Sequence, residues 1–231
     1  MDYKRGLLKT LMILLTTVQL FWPLVTSCRC AIKHPQQLFC TAQLVIVARV
    51  ENITLNYVTG ETGKDLYPVG SIESVTYHIK VQHVYRFERG RGRRRAIHRQ
   101  TTINTPGSVY DCRVSLLQNT TYILTGHIRR GSLWVNSCGW VEDMAKLTYR
   151  QRTGLRSFYQ DNCRCQVRCC TGSQCLHTTS ARTNNQCMMD TGIFSCYTKY
   201  GICTYKRKNG QRGCVWKENP QIKQCLTVWG K

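Results

Sequence analysis

The chain has 231 residues, fifteen cysteines and a formal charge of +21 at neutral pH. That length allows one large domain or two small ones. The cysteine density argues against a reducing cytosol, and the charge favours polyanionic partners, sulfated polysaccharide above all.

Residues 1–27 have the pattern of a secretory signal. Lys4, Arg5 and Lys9 form a positive start, Leu11 to Val25 is mostly apolar, and Val25-Thr26-Ser27 places small residues at a cleavage site. The apolar stretch is short for a membrane span, and no second one follows, so secretion is expected rather than anchoring. Cleavage after Ser27 leaves Cys28 with a free α-amine at the start of Cys28-Arg29-Cys30. Two cysteines here can clamp an end that would otherwise fray. An α-amine beside its own carbonyl is a two-toothed ligand for a metal ion.

His34 to Cys40 suggests a short helix, with Pro35 at a first helical position and Leu38 and Phe39 facing a core. Leu44 to Val50 is an apolar, β-branched strand candidate. Residues 51–75 carry Asn52, Gly60, Gly63, Pro68 and Gly70, which suggests a long loop or loose hairpin. From Val75 to Tyr85 the chain alternates, with Val75, Tyr77, Ile79 and Val81 on one side, until the pattern breaks near His83 and Val84. A basic run follows: Arg86, Arg89, Arg91, Arg93, Arg94, Arg95 and Arg99, opposed only by Glu88. Thr101 to Asn104 is a third strand candidate, ended by Pro106-Gly107. Thr121 to Thr125 and Leu133 to Val135 are two more, flanking a turn at Arg130-Gly131. Leu147 to Tyr159 fits an amphipathic helix with Leu147, Leu155, Phe158 and Tyr159 buried. Asn52-Ile53-Thr54 and Asn119-Thr120-Thr121 are acceptable N-glycosylation sequons.

Five strands with a helix near each end predict a mainly β fold, a five-stranded oligonucleotide/oligosaccharide-binding (OB) barrel. After Asp161 the cysteines crowd and regular apolar runs nearly vanish. This predicts a smaller, disulfide-stapled second domain. The expected division is 1–27 signal, 28–163 barrel domain with flanking helices, and 164–231 disulfide-rich domain with an extra basic tail.

Several motifs together resemble the tissue inhibitors of metalloproteinases. Cys28-x-Cys30 followed by His34-Pro35-Gln36-Gln37-x-Phe39-Cys40 looks like the mature start of that family. Tyr77-His78-Ile79-Lys80 and Tyr122-Ile123-Leu124-Thr125-Gly126 resemble its second and fourth strands. Val135-Asn136-Ser137-Cys138 resembles the fifth, and Ser108-Val109, ahead of Cys112, its connector loop. Cys165, Cys170 and Cys175 keep the family's spacing, and Phe194-Ser195-Cys196 and Cys203-Thr204-Tyr205 resemble its last half-cystines. The likeness spans residues 28–205.

The resemblance implies a netrin-like barrel and the bridges Cys28–Cys112, Cys30–Cys138, Cys40–Cys163, Cys165–Cys203, Cys170–Cys175 and Cys187–Cys196. Spacing alone selects none of these. Cys214 and Cys225 then remain to staple an added tail, and Cys169 is the odd cysteine, available for a covalent dimer. The resemblance further implies a secreted inhibitor without enzymatic activity or cofactor of its own. The Cys28 amine and carbonyl would chelate the zinc of a secreted or membrane-anchored metalloproteinase, and Arg29, Cys30, Ala31, Ile32, Ser108 and Val109 would touch its cleft. Two departures stand out. Arg29 replaces a small hydroxyl residue that enters the protease's specificity pocket, and Ile32 replaces a proline. Arg29 therefore predicts a narrowed target range, because burying an unpaired guanidinium is costly.

Other classes find less support. The chain has no His-Glu-x-x-His and no Gly-x-Ser-x-Gly of a hydrolase. A zinc cluster among cysteines 163–175 fits the spacing, but an oxidising compartment favours disulfides. Nucleic-acid binding needs aromatic stacking platforms and a different address. The alternative function is a matrix- or glycosaminoglycan-binding module with little or no inhibition. The arginine run is expected to be its heparin-binding loop, with solvated charge and a proteolytic processing site as rival readings.

Overall fold

A computed structural model describes residues 28–59, 70–88, 97–172, 175, 185–208 and 211–229. The signal segment and Arg89, Arg91, Arg93, Arg94 and Arg95 lie outside them.

The chain opens with an extended segment, Cys28 to Lys33, and a helix α1 (Pro35–Thr41). Strands β1 (Leu44–Tyr57), β2 (Ile72–Phe87), β3 (Gln100–Pro106), β4 (Thr121–Arg129) and β5 (Ser132–Val135) follow. They pair in the order β1-β2-β3-β5-β4, and β4 pairs back onto β1 to close a five-stranded ring. All these ladders are antiparallel except β3–β5, which is parallel. Closure removes the unpaired edges that an open sheet would expose. A short sixth strand, β6 (Val141–Asp143), pairs with the start of β4 outside the ring. Three residues are too few for a periodic signal, so the sequence pattern does not reveal it.

Two cores explain why β1 is apolar at consecutive positions. Leu44, Ile46, Ala48 and Val50 point into the barrel with Val75, Tyr77, Ile79, Ile103 and Leu124. Val45 and Val47 point outward into a second cluster with Phe39, Trp140, Leu147, Leu155 and Tyr159. A strand buried on both faces has no polar side to alternate with. The break in the β2 pattern has an equally local cause. The register passes from Val45↔Arg86 to Ile46↔Val84, and from Val47↔His83 to Ala48↔Val81, leaving Tyr85 and Gln82 as bulged residues.

Of the stretch expected to be a long loop or loose hairpin, residues 51–57 and 72–75 are strand, and residues 60–69 lie outside the described residues. β1 continues to Tyr57 and β2 starts at Ile72. A polar ladder supports this extension: Asn56 Nδ2 donates to Ser74 Oγ (3.0 Å) and Thr76 Oγ1 (2.9 Å), and Thr76 donates to Asn104 Oδ1 (2.7 Å). Cross-strand hydrogen bonding replaces hydrophobic alternation as the pairing signal. The predicted turn between β4 and β5 forms with both central residues left-handed, Arg130 at φ 49° and Gly131 at φ 83°.

Helix α2 (Tyr149–Ser157) starts at a capping box between Thr148 and Gln151. It buries Leu155, and Leu147 and Tyr159 are buried at its flanks. The cysteine-rich remainder is more regular than expected. β7 (Gln166–Cys170) and β8 (Gln186–Asp190) form a parallel pair, and β9 (Cys203–Lys208) and β10 (Gln211–Trp216) an antiparallel hairpin. Helices α3 (Phe194–Tyr200) and α4 (Pro220–Trp229) complete it. Strands of five or six residues around half-cystines carry too few aliphatic side chains to show a period.

Three of the expected bridges in this half are not formed. In place of Cys165–Cys203, Cys187–Cys196 and Cys214–Cys225, the structure has Cys165–Cys214, Cys187–Cys203 and Cys196–Cys225. The reason is topological. The sulfurs of Cys165, Cys203 and Cys214 lie within 4.8 Å of one another, so position along the chain cannot choose between them. The β9–β10 hairpin sets Cys214 opposite Tyr205 and Cys203 opposite Trp216, separating the two sulfurs' partners. The tail is stapled to α3 through Cys196 rather than within itself.

Candidate inhibitory site

The segment Cys28–Lys33 pairs with no strand among the described residues, yet it is held at several points. Cys28 is bonded to Cys112 and Cys30 to Cys138, with Cα separations of 5.1 and 5.0 Å. These bridges stack: the sulfurs of Cys28 and Cys30 lie 3.7 Å apart, and those of Cys112 and Cys138 3.6 Å. All four sulfurs fall within 4.8 Å, but each is half of a disulfide, so none is a thiolate ligand for a resident metal. The same holds for Cys163, Cys165, Cys170 and Cys175, which are all bridged, against a zinc cluster there. The Cys40–Cys163 bridge ties α1 to the chain after α2.

The loop that receives Cys28 is itself rigid. Ser108 caps a 3-10 turn over Val109–Asp111, its Oγ accepting from Tyr110 N–H at 3.1 Å. Its carbonyl accepts from Asp111 and Arg113. Cys112 adopts a left-handed conformation, φ 67°, which turns the chain sharply into the bridge. Gly107 is sterically required, because a Cβ there would lie 1.9 Å from the Ile72 carbonyl oxygen. Ser137 donates its N–H to Cys112 O (2.9 Å), and its Oγ lies 3.5 Å from the Cys28 sulfur.

Around these bridges the surface is apolar and open. Ile32, Val109 and Tyr110 are 47%, 58% and 59% exposed, although they have the character of core residues. Arg29 and Ala31 are exposed, and Cys28 and Ser108 half-buried. Exposed aliphatic and aromatic side chains beside rigid backbone are the composition of a docking surface. Tyr110 escaped sequence reasoning, and its place directly after Ser108-Val109 was the available signal. Cys169 was expected to be the odd cysteine, but its position was not. It is free and exposed, and its thiol donates to the Ile32 carbonyl at 3.3 Å.

The far end of the segment is anchored by His34, which is fully buried. Its Nδ1 accepts from Gln36 N–H (3.1 Å), capping α1, so Nε2 carries the proton and donates to Tyr197 O (2.9 Å). Burial depresses its pKa to about 4. Gln36 completes the anchor: Nε2 donates to Cys203 O (2.8 Å) and Oε1 accepts from Cys203 N–H (3.0 Å). Ile202 also joins the cluster containing Phe39, so the two halves share a core.

A model of the tissue inhibitor of metalloproteinase family matches residues 26–216. The chain belongs to that family. It is 29% identical over 196 residues to metalloproteinase inhibitor 3 of Xenopus laevis, covering 82% of this chain and 80% of that protein. It is 31% identical over 163 residues to metalloproteinase inhibitor 3 of Gallus gallus, covering 70% and 67%. It is 30% identical over 215 residues to metalloproteinase inhibitor 4 of Mus musculus, covering 88% and 87%. The tissue inhibitors of metalloproteinases are inhibitors, not enzymes, and metalloproteinases are the partners that membership implies. Helix α4, with Cys225, follows the last residue that the family model matches.

Two other predicted sets fare differently. Asn52 and Asn119 are both exposed. Of the polyanion-binding arginines, Arg86 is a correction: its side chain is only 17% exposed, pairs with Glu88 and packs its Nη1 against the Cys163 sulfur. A guanidinium already neutralised and covered has little left for a ligand. Arg99 is exposed. Among the described residues no helix is long and apolar enough to cross a membrane.

Proposed function

We propose that the mature protein is a secreted inhibitor that occupies the catalytic zinc of a metalloproteinase with the Cys28 α-amine and carbonyl. Seven disulfides suit an oxidising, extracytosolic compartment. The observation that carries the mechanism is the double bridge under Cys28 and Cys30. A catalytic zinc keeps one position for the water that attacks the substrate. A rigid amine-and-carbonyl pair displaces that water with little conformational entropy to lose. The amine binds unprotonated; its ordinary pKa of about 7.7–8.0 makes this accessible near neutral pH. The zinc belongs to the target, and the inhibitor supplies no cofactor. Ala31, Ile32, Ser108 and Val109 would line the contact, with Arg29 directed at the specificity pocket.

The test is a matched pair of refolded proteins, one beginning at Cys28 and one with a single alanine ahead of it. Titrated against a panel of zinc endopeptidases, the native form is expected to inhibit and the extended form to lose inhibition while keeping its disulfides. Equal inhibition by both would refute chelation. A second reading, a matrix-binding module with little inhibition, is favoured by Arg49 on β1 opposite Lys80 on β2, with Arg99 just ahead of β3, none of them in an ion pair among the described residues. It gains if the native form inhibits no member of the panel.

A further inference from the structure

The inhibitory segment is fixed at its two ends by different halves of the chain. The Cys28–Cys112 and Cys30–Cys138 bridges fix its start to the barrel. His34, fully buried, fixes its end through Tyr197 O and the Trp216 ring of the cysteine-rich half. Between these anchors Ala31, Ile32 and Lys33 are all exposed, so core packing does not hold them. Among the described residues one hydrogen bond reaches their main chain: the Cys169 thiol donates to the Ile32 carbonyl at 3.3 Å.

The thiol is presented there by an ordered strand. Cys169 lies on β7 opposite Met189 of β8, a fully buried residue, and the next residue is stapled by Cys170–Cys175. Two residues earlier, Val167 donates its N–H to Gln37 Oε1 on α1 at 3.0 Å. These two contacts dock β7 along the chain from Ile32 to Gln37. Seven bridges consume every other cysteine, so Cys169 alone keeps a thiol hydrogen to donate. Ile32 gives the contact a consequence. It stands where the resembled family has a proline, whose ring fixes φ near about −65°. Isoleucine leaves that torsion free, and a tether on its carbonyl restrains the following peptide plane instead.

We propose that Cys169 is a positioning residue of the inhibitory site, its thiol fixing the Ile32 peptide so that the ridge from Cys28 to Ile32 meets its target already formed. The consequence for inhibition rests on the chelation reading above; the consequence for the segment's order does not. A segment fixed before docking has less conformational entropy to lose on binding. One neutral hydrogen bond is a small effect in affinity, but here it acts on three exposed residues that packing leaves free. The free thiol is thereby a condition of full activity. Alkylation removes the donor and adds bulk against Ile32.

The test compares the full mature protein with Cys169→Ala and Cys169→Ser by backbone nitrogen relaxation, inhibition constants against zinc endopeptidases, and melting temperature. Cys169→Ser keeps a donor and is expected to match the native protein in all three. Cys169→Ala is expected to inhibit about 3- to 10-fold more weakly, the scale of one hydrogen bond. Its order parameters at Ala31, Ile32 and Lys33 should fall from rigid values of about 0.85 toward the flexible range below about 0.6. Its melting temperature should not change, because the side chain is exposed. Native protein carbamidomethylated at Cys169 should lose at least as much inhibition as the alanine variant. Unchanged order parameters in Cys169→Ala overturn the proposal, as does a loosened segment with unchanged inhibition constants. A serine variant that fails like alanine also overturns it, since the donor would then not be what matters. If the native protein inhibits no protease, the chelation reading fails, and the order parameters decide the thiol's role by themselves.

Discussion

Acid should loosen this protein through His34, and the size of the effect follows from its surroundings. The ring is fully buried and bonded through both nitrogens, Nδ1 as acceptor and Nε2 as donor. Protonation would leave Nδ1 with a hydrogen facing the Gln36 N–H and a charge in an apolar site beside Trp216 and Tyr159. The pKa is accordingly depressed from 6.5 to about 4. A depressed pKa means that the unfolded chain binds the proton first. The contribution is therefore complete above about pH 6.5 and is lost as pH falls through 4. At about 1.36 kcal/mol per pKa unit the total is roughly 3 kcal/mol, of which about 2 is gone by pH 5. The assay is urea unfolding of the oxidised protein from pH 8 to 4, beside His34→Asn, which keeps a capping side chain but does not titrate. The native protein should lose stability more steeply, by up to about 1.4 kcal/mol per pH unit near pH 5, one proton's worth. Parallel curves would refute the assignment and mean that His34 is hydrated or already charged. Because His34 anchors the segment that starts at Cys28, inhibition should weaken over the same acid range.

Further outcomes follow from the site. Arg29→Thr is expected to strengthen binding to proteases with apolar specificity pockets by about 1–4 kcal/mol, the scale of a buried unpaired charge; equal inhibition constants across a panel would place the side chain outside the pocket. Gly107→Ala should cost about 1–3 kcal/mol of stability and weaken inhibition, because the Ile72 carbonyl blocks the new Cβ and the Ser108–Cys112 loop must move; an unchanged melting temperature would contradict this. Peptide mapping without reduction should recover Cys165–Cys214, Cys187–Cys203 and Cys196–Cys225, with Cys169 the one alkylatable thiol. Recovery of Cys214–Cys225, or of a dimer bridged at Cys169, would count against that arrangement.

What the chain alone determined was mostly local. The alternation of Val75, Tyr77, Ile79 and Val81 places one face of β2 in the barrel, because side chains in a strand repeat every two residues. Pro35 marks a helix start, because the exposed N–H groups of a first turn need a cap or no donor at all. The Cys28-x-Cys30 terminus, with the motif through Cys40, was enough to point to the family. Tertiary structure decided what depends on distant residues meeting. Three sulfurs within 4.8 Å could be paired in several ways, and only the β9–β10 hairpin and the packing of α4 on α3 select among them. The β1–β2 extension is built from asparagine, serine and threonine, which look like loop residues until a neighbouring strand supplies their hydrogen bonds. Arg86 and Arg99 look alike within a basic run, yet one is spent on Glu88 and the other faces Lys80 and Arg49 around a pocket. A charge is a ligand site only where its neighbours leave it unneutralised, and those neighbours lie on other strands.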